Sequence, residues 1–396
     1  WVGLMSSEQM TTGVKPLTVG IVANAIWNTA NFRISLVQAL RDAGYEVYCL
    51  APDEDLWPGK GAIEQIQETG AVYVDMPMDR GGTNPLADVR LLWRMRRIYK
   101  KIDPDLLLHY TLKPIVYGSI VARLLRIPNV AVVTGMGSAL LATNSLLERL
   151  TRGLLRYSLR HTTQVFLLNP SDHTEFVEAG LVDPARARIL PGEGIDTSHF
   201  QPAESFPDTP TFLMVARLLR DKGVYEYVEA ARRLRQQHPR VRFLLGGGLD
   251  LSNPSGVAEA ELDAWRAEGC IEYLGVVDDP RPWYSQASAV VLPSYREGMS
   301  RALLEAIASG LPVLASDVPG CRDLVDHGEN GLLFPARDVD GLTEAIGEFL
   351  QLPPETVAAF GKRGRERALV EFDERLVNGL YLEALPHLLN GRQSDP

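Results

Sequence analysis

Short apolar runs rich in β-branched residues alternate with amphipathic stretches along the chain, and this alternation constrains the fold more than any other feature. Continuous apolar runs of this kind are typical of strands that are buried on both faces. Parallel strands need crossover connections, and helices between the strands supply them with right-handed geometry. The pattern therefore predicts an α/β fold of doubly wound parallel sheets, and it excludes a fibre, a disordered chain or a small disulfide scaffold.

The alternation runs once through the first half of the chain and then restarts. Predicted strands of the first half are residues 17–23, 45–51, 72–76, 105–110, 130–135 and 163–169. After a segment with several prolines, predicted strands follow at 211–217, 241–247, 271–275, 288–294 and 311–317. Ligands of such sheets bind beyond the carboxyl ends of the strands, so two facing sheets would form a cleft. We predict two Rossmann-like domains, residues 15–198 and 199–372, with a C-terminal helix (about 373–396) crossing back to the first.

Charge is distributed unevenly along the 396 residues. The chain has 50 acidic and 40 basic side chains, a formal charge of -10, which argues against nucleic acid as a partner. Residues 80–160 nevertheless hold 14 Lys and Arg against 4 Asp and Glu. A basic block inside an acidic chain predicts an anionic ligand or surface for the first domain.

The cysteines and the apolar segments indicate the compartment. Cys49, Cys270 and Cys321 lie far apart without a C-x-x-C pair, as expected for reduced thiols of a cytosolic protein. The N-terminal segment is polar and does not resemble a signal peptide. Residues 127–147 lack charge but contain a proline and several polar residues, so we expect a strand, a loop and a helix start there.

The sharpest local signal is a loop and helix that follow a predicted strand of the second half. Glu297 precedes Gly298, Met299 and Ser300, and Glu305 lies in the second turn of the helix that begins there. The amides at a helix N-terminus favour a phosphate, and carboxylates accept hydrogen bonds from sugar hydroxyls. This spacing is typical of a site for a sugar joined to a nucleotide diphosphate.

Two cations at another predicted strand end complete the pattern. Arg217 ends a strand, and Lys222 stands at the start of the next helix. Fixed positive charges at that edge would neutralise a pyrophosphate and stabilise it as a leaving group.

These motifs resemble family 4 of the retaining glycosyltransferases, which have the GT-B fold, from about Leu17 to about Phe372. The resemblance implies that Glu305 holds the nucleotide ribose and that Glu297 holds the donor-sugar hydroxyls. It also implies that Arg217 and Lys222 bind the diphosphate, and that the loop around Val276 contacts the base. Family members of this kind need no metal or other cofactor, so none is expected.

Finer features are similar to the branch of the family that acts on polyprenyl-diphosphate-linked sugars. They are residues 27–33, 109–124, 133–141, 169–176, 190–200 and 318–325. The resemblance implies transfer of a hexose or N-acetylhexosamine, from a UDP-sugar, to an undecaprenyl-diphosphate-linked saccharide in surface polysaccharide synthesis. Two positions depart from the branch, because Glu193 replaces a small serine and Ser300 replaces a common proline.

The basic block suggests how such an acceptor would be reached. Four arginines recur at helical spacing beside leucines: Arg149, Arg152, Arg156 and Arg160. A second cluster, residues 94–101, adds five cations, with Trp93 and Tyr99 as candidate interfacial rings. A basic amphipathic surface can bind anionic lipid, which predicts a peripheral protein at the inner face of the plasma membrane. The alternative is an ordinary solvated helix face.

Two further residues are candidates for contact with substrate. His109 ends a predicted strand on the cleft side, and Lys113 follows it. We expect His109 to take part in catalysis and Lys113 to contact the acceptor, although a structural histidine is the alternative.

Other functions leave some of these features unexplained. D-x-D patterns at 53–55, 103–105 and 338–340 could mark a metal-dependent transferase, and residues 135–140 match only part of a dinucleotide-binding motif. A GT-B nucleotide-sugar 2-epimerase or hydrolase would leave the basic block without a purpose. A transferase to a soluble acceptor and a scaffold without enzyme activity are the remaining alternatives.

Overall fold

The computed structural model describes residues 15–53, 61–79, 85–135, 146–251 and 253–390. Within them the chain forms two α/β domains, each built on one parallel sheet, of seven and six strands. The predicted fold class is confirmed.

The first domain contains a seven-stranded sheet. Its strands are β1 (Thr18–Val22), β2 (Glu46–Ala51), β3 (Val72–Asp75), β4 (Leu106–Tyr110), β5 (Asn129–Val133), β6 (Gln164–Leu167) and β7 (Ala187–Ile189). Its helices are α1 (Ile26–Asp42), α2 (Ala62–Glu68), α3 (Pro85–Ile102), α4 (Ser119–Leu125), α5 (Leu146–Leu159) and α6 (Pro170–Glu178). A π-helical segment, Pro114–Gly118, precedes α4. The central strands β1, β4 and β5 are buried along their whole length, which explains their continuous apolar sequence.

The second domain repeats the arrangement with six strands. They are β8 (Thr211–Val215), β9 (Arg242–Gly246), β10 (Glu272–Gly275), β11 (Ala289–Leu292), β12 (Val313–Ser316) and β13 (Gly331–Phe334). The helices are α7 (Val224–Gln237), α8 (Glu259–Glu268), α9 (Arg281–Tyr284), α10 (Arg301–Ala308), α11 (Val339–Phe349) and α12 (Pro354–Arg367). A 3-10 turn, Arg220–Lys222, follows β8.

Both sheets reverse their strand order at one point. The first runs β3-β2-β1-β4-β5-β6-β7, and the second runs β10-β9-β8-β11-β12-β13. All pairings between these strands are parallel, so the carboxyl ends of β1 and β4 lie side by side at one edge, as do those of β8 and β11. The connections that follow each pair lead to opposite sides of the sheet. Such switch points are where ligands bind in doubly wound sheets.

The last helix, α13 (Glu374–Asn390), returns to the first domain through the π-helical segment Ala368–Phe372. The apolar side chains of α13 pack into the core of the first sheet, and the Tyr381 ring meets the Phe166 ring edge-on at 5.4 Å. Tyr110 donates a hydrogen bond to the Tyr381 hydroxyl at 3.1 Å. The chain therefore connects the two domains twice.

Candidate active site

A cleft of about 2140 Å³ lies between the two domains. Residues just beyond the four switch-point strands line it: Asn24 after β1, Thr111 after β4, Arg217 after β8 and Glu297 after β11. The cleft is therefore formed where the topology of both sheets places a ligand site.

The two cations expected to bind a diphosphate both line this cleft. The Arg217 side chain is half exposed, and its Nη1 lies 3.3 Å from Oδ2 of Asp250. The Nζ atom of Lys222 lies 2.5 Å from Oε1 of Glu297. The structure thus brings Arg217, Lys222 and Glu297 to one wall of the cleft.

The loop after Glu297 is held by its backbone. The amide of Glu297 donates to the Pro319 carbonyl at 3.1 Å, and the amide of Ser300 donates to the Gly320 carbonyl at 3.2 Å. The Ser300 hydroxyl accepts a hydrogen bond from the Leu303 amide at 3.3 Å, so Ser300 is the N-cap of α10. A serine in place of the family's proline therefore starts the same helix by a different means.

Glu305 faces the cleft from α10 with both carboxylate oxygens engaged. Oε1 lies 2.9 Å from Nε of Arg301, and Oε2 accepts a hydrogen bond from the Tyr284 hydroxyl at 2.9 Å. Tyr284 is buried, so it fixes the rotamer of Glu305. Val276, which follows β10, is 44% exposed and lines the same cleft.

On the first-domain side, Lys113 also lines the cleft, where its Nζ lies 3.2 Å from Oδ1 of Asp88. Arg90 and Arg94 also line the cleft, although the sequence does not mark them as cleft residues and predicts Arg94 to lie on a lipid-binding surface. Both lie on α3, one helical turn apart, and this spacing was a signal that the two guanidinium groups share a face. This side of the cleft is completed by three residues of α1 to which the sequence gives no individual roles: Trp27, Asn28 and Phe32.

Glu193 lies in the cleft and is neutralised by Arg33. Its carboxylate forms an ion pair with the Arg33 guanidinium, which is almost fully buried and stacks at 4.0 Å over the Tyr110 ring. The negative charge of Glu193 is therefore matched within the fold.

His109 does not reach the cleft, which corrects the expectation that it takes part in catalysis. The side chain is fully buried. Its Nε2 lies 3.1 Å from the Tyr99 hydroxyl, and its Nδ1 lies 3.3 Å from the Ser119 hydroxyl. Burial lowers the pKa of His109 to about 3, so the ring is neutral at pH 7. His109 serves the core of the first domain.

The basic helix α5 lies on the outer surface rather than at the cleft. Arg149, Arg152 and Arg156 of this helix are exposed, and so is Arg160, which directly follows it. Leu154 and Tyr157 of this helix are also exposed, and Arg123 of α4 donates to the Tyr157 hydroxyl at 2.9 Å. On α3, Trp93 is 70% exposed, whereas Tyr99 is fully buried and cannot be an interfacial ring. No helix in the described ranges is both long enough and apolar enough to cross a bilayer.

Some alternative motifs have structural roles or fall outside the description. Asp105 accepts a hydrogen bond from the Thr18 amide at 2.8 Å, and Asp338 caps α11. The first D-x-D pattern includes residues 54 and 55, and the partial dinucleotide motif includes residues 136–140, all of which lie outside the described residues.

Two family models match the chain, one in each domain. The model described as "Glycosyl transferase 4-like" matches residues 23–169, and "Glycosyl transferases group 1" matches residues 209–352. Neither match reaches the C-terminal helix α13.

Curated relatives and a solved structure agree with those matches. The chain is 25% identical over 384 residues to N,N'-diacetylbacillosaminyl-diphospho-undecaprenol alpha-1,3-N-acetylgalactosaminyltransferase of Campylobacter jejuni, covering 93% of this chain and 98% of the relative. It is 27% identical to UDP-Gal:alpha-D-GlcNAc-diphosphoundecaprenol alpha-1,3-galactosyltransferase of Escherichia coli, covering 66% of this chain and 70% of the relative. Anabaena HepE in complex with UDP-glucose superposes with a TM-score of 0.74 at 18% identity, covering 94% of this chain and 100% of that one.

The family matches lie in both domains, and the paired sheets have the GT-B arrangement. The chain therefore belongs to the glycosyltransferases of the group 1 and 4-like families, and it is an enzyme of that class.

Proposed function

We propose that this enzyme transfers a hexose or N-acetylhexosamine from a UDP-sugar to a saccharide carried on undecaprenyl diphosphate, with retention of the anomeric configuration. Both relatives described above are named for acceptors on diphospho-undecaprenol, and HepE was crystallised with UDP-glucose. This sugar transfer would take place at the inner face of the plasma membrane, as a step of surface polysaccharide synthesis.

The observation that carries the proposal is the placement of cations at both ends of one cleft. Arg217 and Lys222 lie on the second-domain side, and Arg90, Arg94 and Lys113 lie on the first-domain side. Two separate cationic clusters suit two substrates that each carry a diphosphate. An epimerase or hydrolase without a lipid acceptor would have no use for the second cluster.

The donor half suits a nucleotide-diphosphate sugar. Glu305, fixed by Tyr284 and Arg301, would accept hydrogen bonds from the ribose hydroxyls. Glu297 would accept hydrogen bonds from the sugar, and the amides at the start of α10 would face the phosphates.

Arg217 and Lys222 also supply fixed positive charge where the leaving diphosphate develops its negative charge. The chemistry therefore does not require a metal ion to stabilise the leaving group. In the retaining mechanism that the family implies, the acceptor hydroxyl attacks on the face from which the diphosphate leaves. A released phosphate oxygen then takes the hydroxyl proton, so no side chain need act as the base.

The exposed surface of the first domain supports a peripheral membrane location. The α5 arginines stand beside Leu124, Leu154 and Tyr157, all exposed. Leu86, Val89 and Trp93 add an apolar patch on α3, the helix that also carries Arg90 and Arg94. An acceptor held with its diphosphate at Arg90 and Arg94 would have its prenyl chain next to this patch.

The test is turnover by the full chain with a panel of UDP-sugars and two acceptors, one linked to undecaprenyl diphosphate and one soluble with the same saccharide. We expect transfer to the lipid-linked acceptor and a product whose anomeric configuration, read by NMR, matches the donor. Donor turnover without an acceptor would favour the epimerase or hydrolase, and equal use of the soluble saccharide would remove the lipid from the proposal. An Arg90→Gln/Arg94→Gln variant should raise the acceptor KM and leave the Kd for UDP unchanged.

Membrane binding is tested separately by co-sedimentation with vesicles that contain phosphatidylglycerol. The triple change Arg149→Gln, Arg152→Gln and Arg156→Gln should weaken binding. A control with the same loss of charge on the second domain, Arg240→Gln, Arg266→Gln and Arg322→Gln, should not. Unchanged binding of the first variant would contradict the membrane part of the proposal.

A further inference from the structure

The loop that carries Glu297 is attached to the first domain as well as to its own. The Asn169 Nδ2 donates a hydrogen bond to the Gly298 carbonyl at 2.6 Å, and Asn169 and Gly298 are both buried. Asn169 precedes α6 of the first domain, whereas Gly298 directly follows Glu297 in the second. The Asn169 side chain thus joins the two domains next to Glu297, the residue that we propose for the donor sugar.

The amide of Asn169 is fixed in orientation by its other partners. Its Oδ1 accepts a hydrogen bond from the Asp172 amide at 2.7 Å and so caps α6. Its Nδ2 also lies 2.9 Å from Oδ2 of Asp172. The Asn169 oxygen must face the Asp172 amide, and this turns Nδ2 of Asn169 toward the Asp172 carboxylate and the Gly298 carbonyl. The contact with Gly298 therefore follows from the helix cap.

Arg296 adds an ionic contact one residue before Glu297. Its guanidinium pairs with Asp172, which is fully buried, and with Oε2 of Glu175 at 2.7 Å. Both acids belong to α6 in the first domain. An ion pair with a buried member is costly to break, because the remaining charge is left without a partner.

The backbone of the loop itself touches the first domain. A Cβ atom on Gly298 would lie 2.1 Å from the carbonyl oxygen of Thr134, so only glycine allows this approach. Thr134 follows β5 at the edge of the first sheet. Glu297 therefore stands between two residues, Arg296 and Gly298, that are both held by the other domain.

We propose that Asn169, Asp172 and Arg296 are positioning residues that hold Glu297 in the arrangement required for sugar transfer. This role rests on the proposed function, in which Glu297 contacts the donor sugar. The ribose and diphosphate contacts, Glu305, Arg217 and Lys222, belong to the second domain alone. Arg217 pairs with Asp250 and Glu305 with Arg301, so of the three only Lys222 pairs with Glu297. Nucleotide binding should therefore depend far less than transfer on these contacts between the domains.

The main variant is Asn169→Ser. Serine is as good an N-cap as asparagine, so α6 keeps its cap, but the shorter side chain cannot reach the Gly298 carbonyl. We expect kcat for transfer to fall at least tenfold while the Kd for UDP changes less than twofold. Arg296→Gln should behave in the same way, and Arg296→Lys should recover part of the activity, because it keeps the charge.

Asp338→Ala is the matched control, since it removes the cap of α11, a helix of the second domain away from the cleft. It should lower the thermal unfolding temperature without changing kcat. Wild-type kcat in both Asn169→Ser and Arg296→Gln would overturn the proposal. A matching loss of UDP affinity would also overturn it, because the residues would then form part of the nucleotide site.

Hydrogen–deuterium exchange of residues 296–300 tests the same inference without activity. We expect exchange to accelerate at least tenfold in Asn169→Ser relative to wild type, and not in Asp338→Ala. Unchanged exchange would contradict the positioning role. If the wild-type enzyme transfers no sugar, the proposed function fails, and exchange still shows whether these contacts order the loop.

Discussion

Lys222 and Glu297 form an ion pair in the cleft although 75 residues separate them along the chain. Gly223 makes the approach of their two loops possible. A Cβ atom there would lie 2.1 Å from the Pro293 carbonyl oxygen, and its φ of +74° lies in the left-handed region. The pair holds the cation that we propose for the leaving diphosphate beside the carboxylate that we propose for the donor sugar.

Removal of Arg217 or Lys222, the two cations on the second-domain side of the cleft, should slow the chemical step. We expect Arg217→Ala and Lys222→Ala each to lower kcat by about 100-fold or more, because a fixed charge on the leaving group acts mainly in the transition state. Arg220→Ala is the control, since Arg220 stacks at 4.0 Å over the Tyr225 ring and does not line the cleft. Steady-state kinetics with saturating donor measures kcat. A wild-type kcat in both Arg217→Ala and Lys222→Ala would contradict the proposed role of the two cations.

Glu305 should control the affinity for the nucleotide rather than for the acceptor. Glu305→Gln replaces a charged hydrogen-bond acceptor by a neutral amide, which accepts weaker hydrogen bonds. The Kd for UDP, measured by calorimetry, should therefore rise about tenfold. Tyr284→Phe removes the hydroxyl that donates to Oε2 and lies 3.4 Å from the Ala302 carbonyl, and it should have a smaller effect in the same direction. The exposed Glu344→Gln serves as the control. A change confined to the acceptor KM would mean that the role of Glu305 is misassigned.

His109 should matter for folding and not for transfer. The unfolded chain protonates a histidine near its ordinary pKa of about 6.5, whereas burial lowers the folded pKa to about 3. The free energy of unfolding of the wild type therefore loses up to about 1.4 kcal/mol per pH unit from this group as the pH falls below 6.5.

In His109→Gln that loss is absent, so the stability deficit of the variant should shrink between pH 6.5 and pH 4.5 in urea titrations. Its kcat per folded molecule at pH 8 should equal that of the wild type. A large fall in kcat without loss of stability would restore a direct role for His109.

The placement of the proposed donor residues in the cleft could be predicted from the sequence, because they lie in loops after strands or near the starts of helices. Arg217, Lys222, Glu297 and Glu305 occupy strand ends or the first turns of helices, where local sequence determines the position. The cations on the first-domain side of the cleft could not be predicted in the same way. Arg90 and Arg94 lie on a helix whose rotation is set by packing, and the cations of α3 look alike in sequence.

The two misplaced aromatic groups of the first domain illustrate the same limit. β4 is buried on both faces, so alternation along it does not reveal which side His109 takes. Tyr99 is one of several large side chains on α3, and only the fold shows that it contacts His109 while Trp93 faces outward. The sequence does not predict β7, which has only three residues, too few for a periodic pattern. It does not predict β13 either, although other strands of four residues are predicted.

Asp373 should stabilise the point where the chain returns to the first domain. Its Oδ1 accepts hydrogen bonds from the backbone amide and Nε of Arg375, at 2.9 and 2.8 Å, and its Oδ2 accepts one from the Thr197 hydroxyl. On each side of it the backbone pairs with Ile195, where the Ile195 amide donates to the Phe372 carbonyl at 2.9 Å. These donors, chiefly the Arg375 side chain, lower the pKa of Asp373 from 3.8 to about 2.

A carboxyl whose pKa is lower in the folded state adds stability above its unfolded pKa and loses it as the pH falls toward the folded pKa. Asp373→Asn should therefore lower the free energy of unfolding by about 2 kcal/mol at pH 7, and this difference should shrink between pH 4 and pH 2. The control is Asp263→Asn, an exposed acid of α8 that pairs with Arg266 one turn away, and this change should cost less than about 1 kcal/mol. Urea unfolding across this range measures both variants, and a deficit for Asp373→Asn that stays constant down to pH 2 would show that its carboxylate charge contributes nothing.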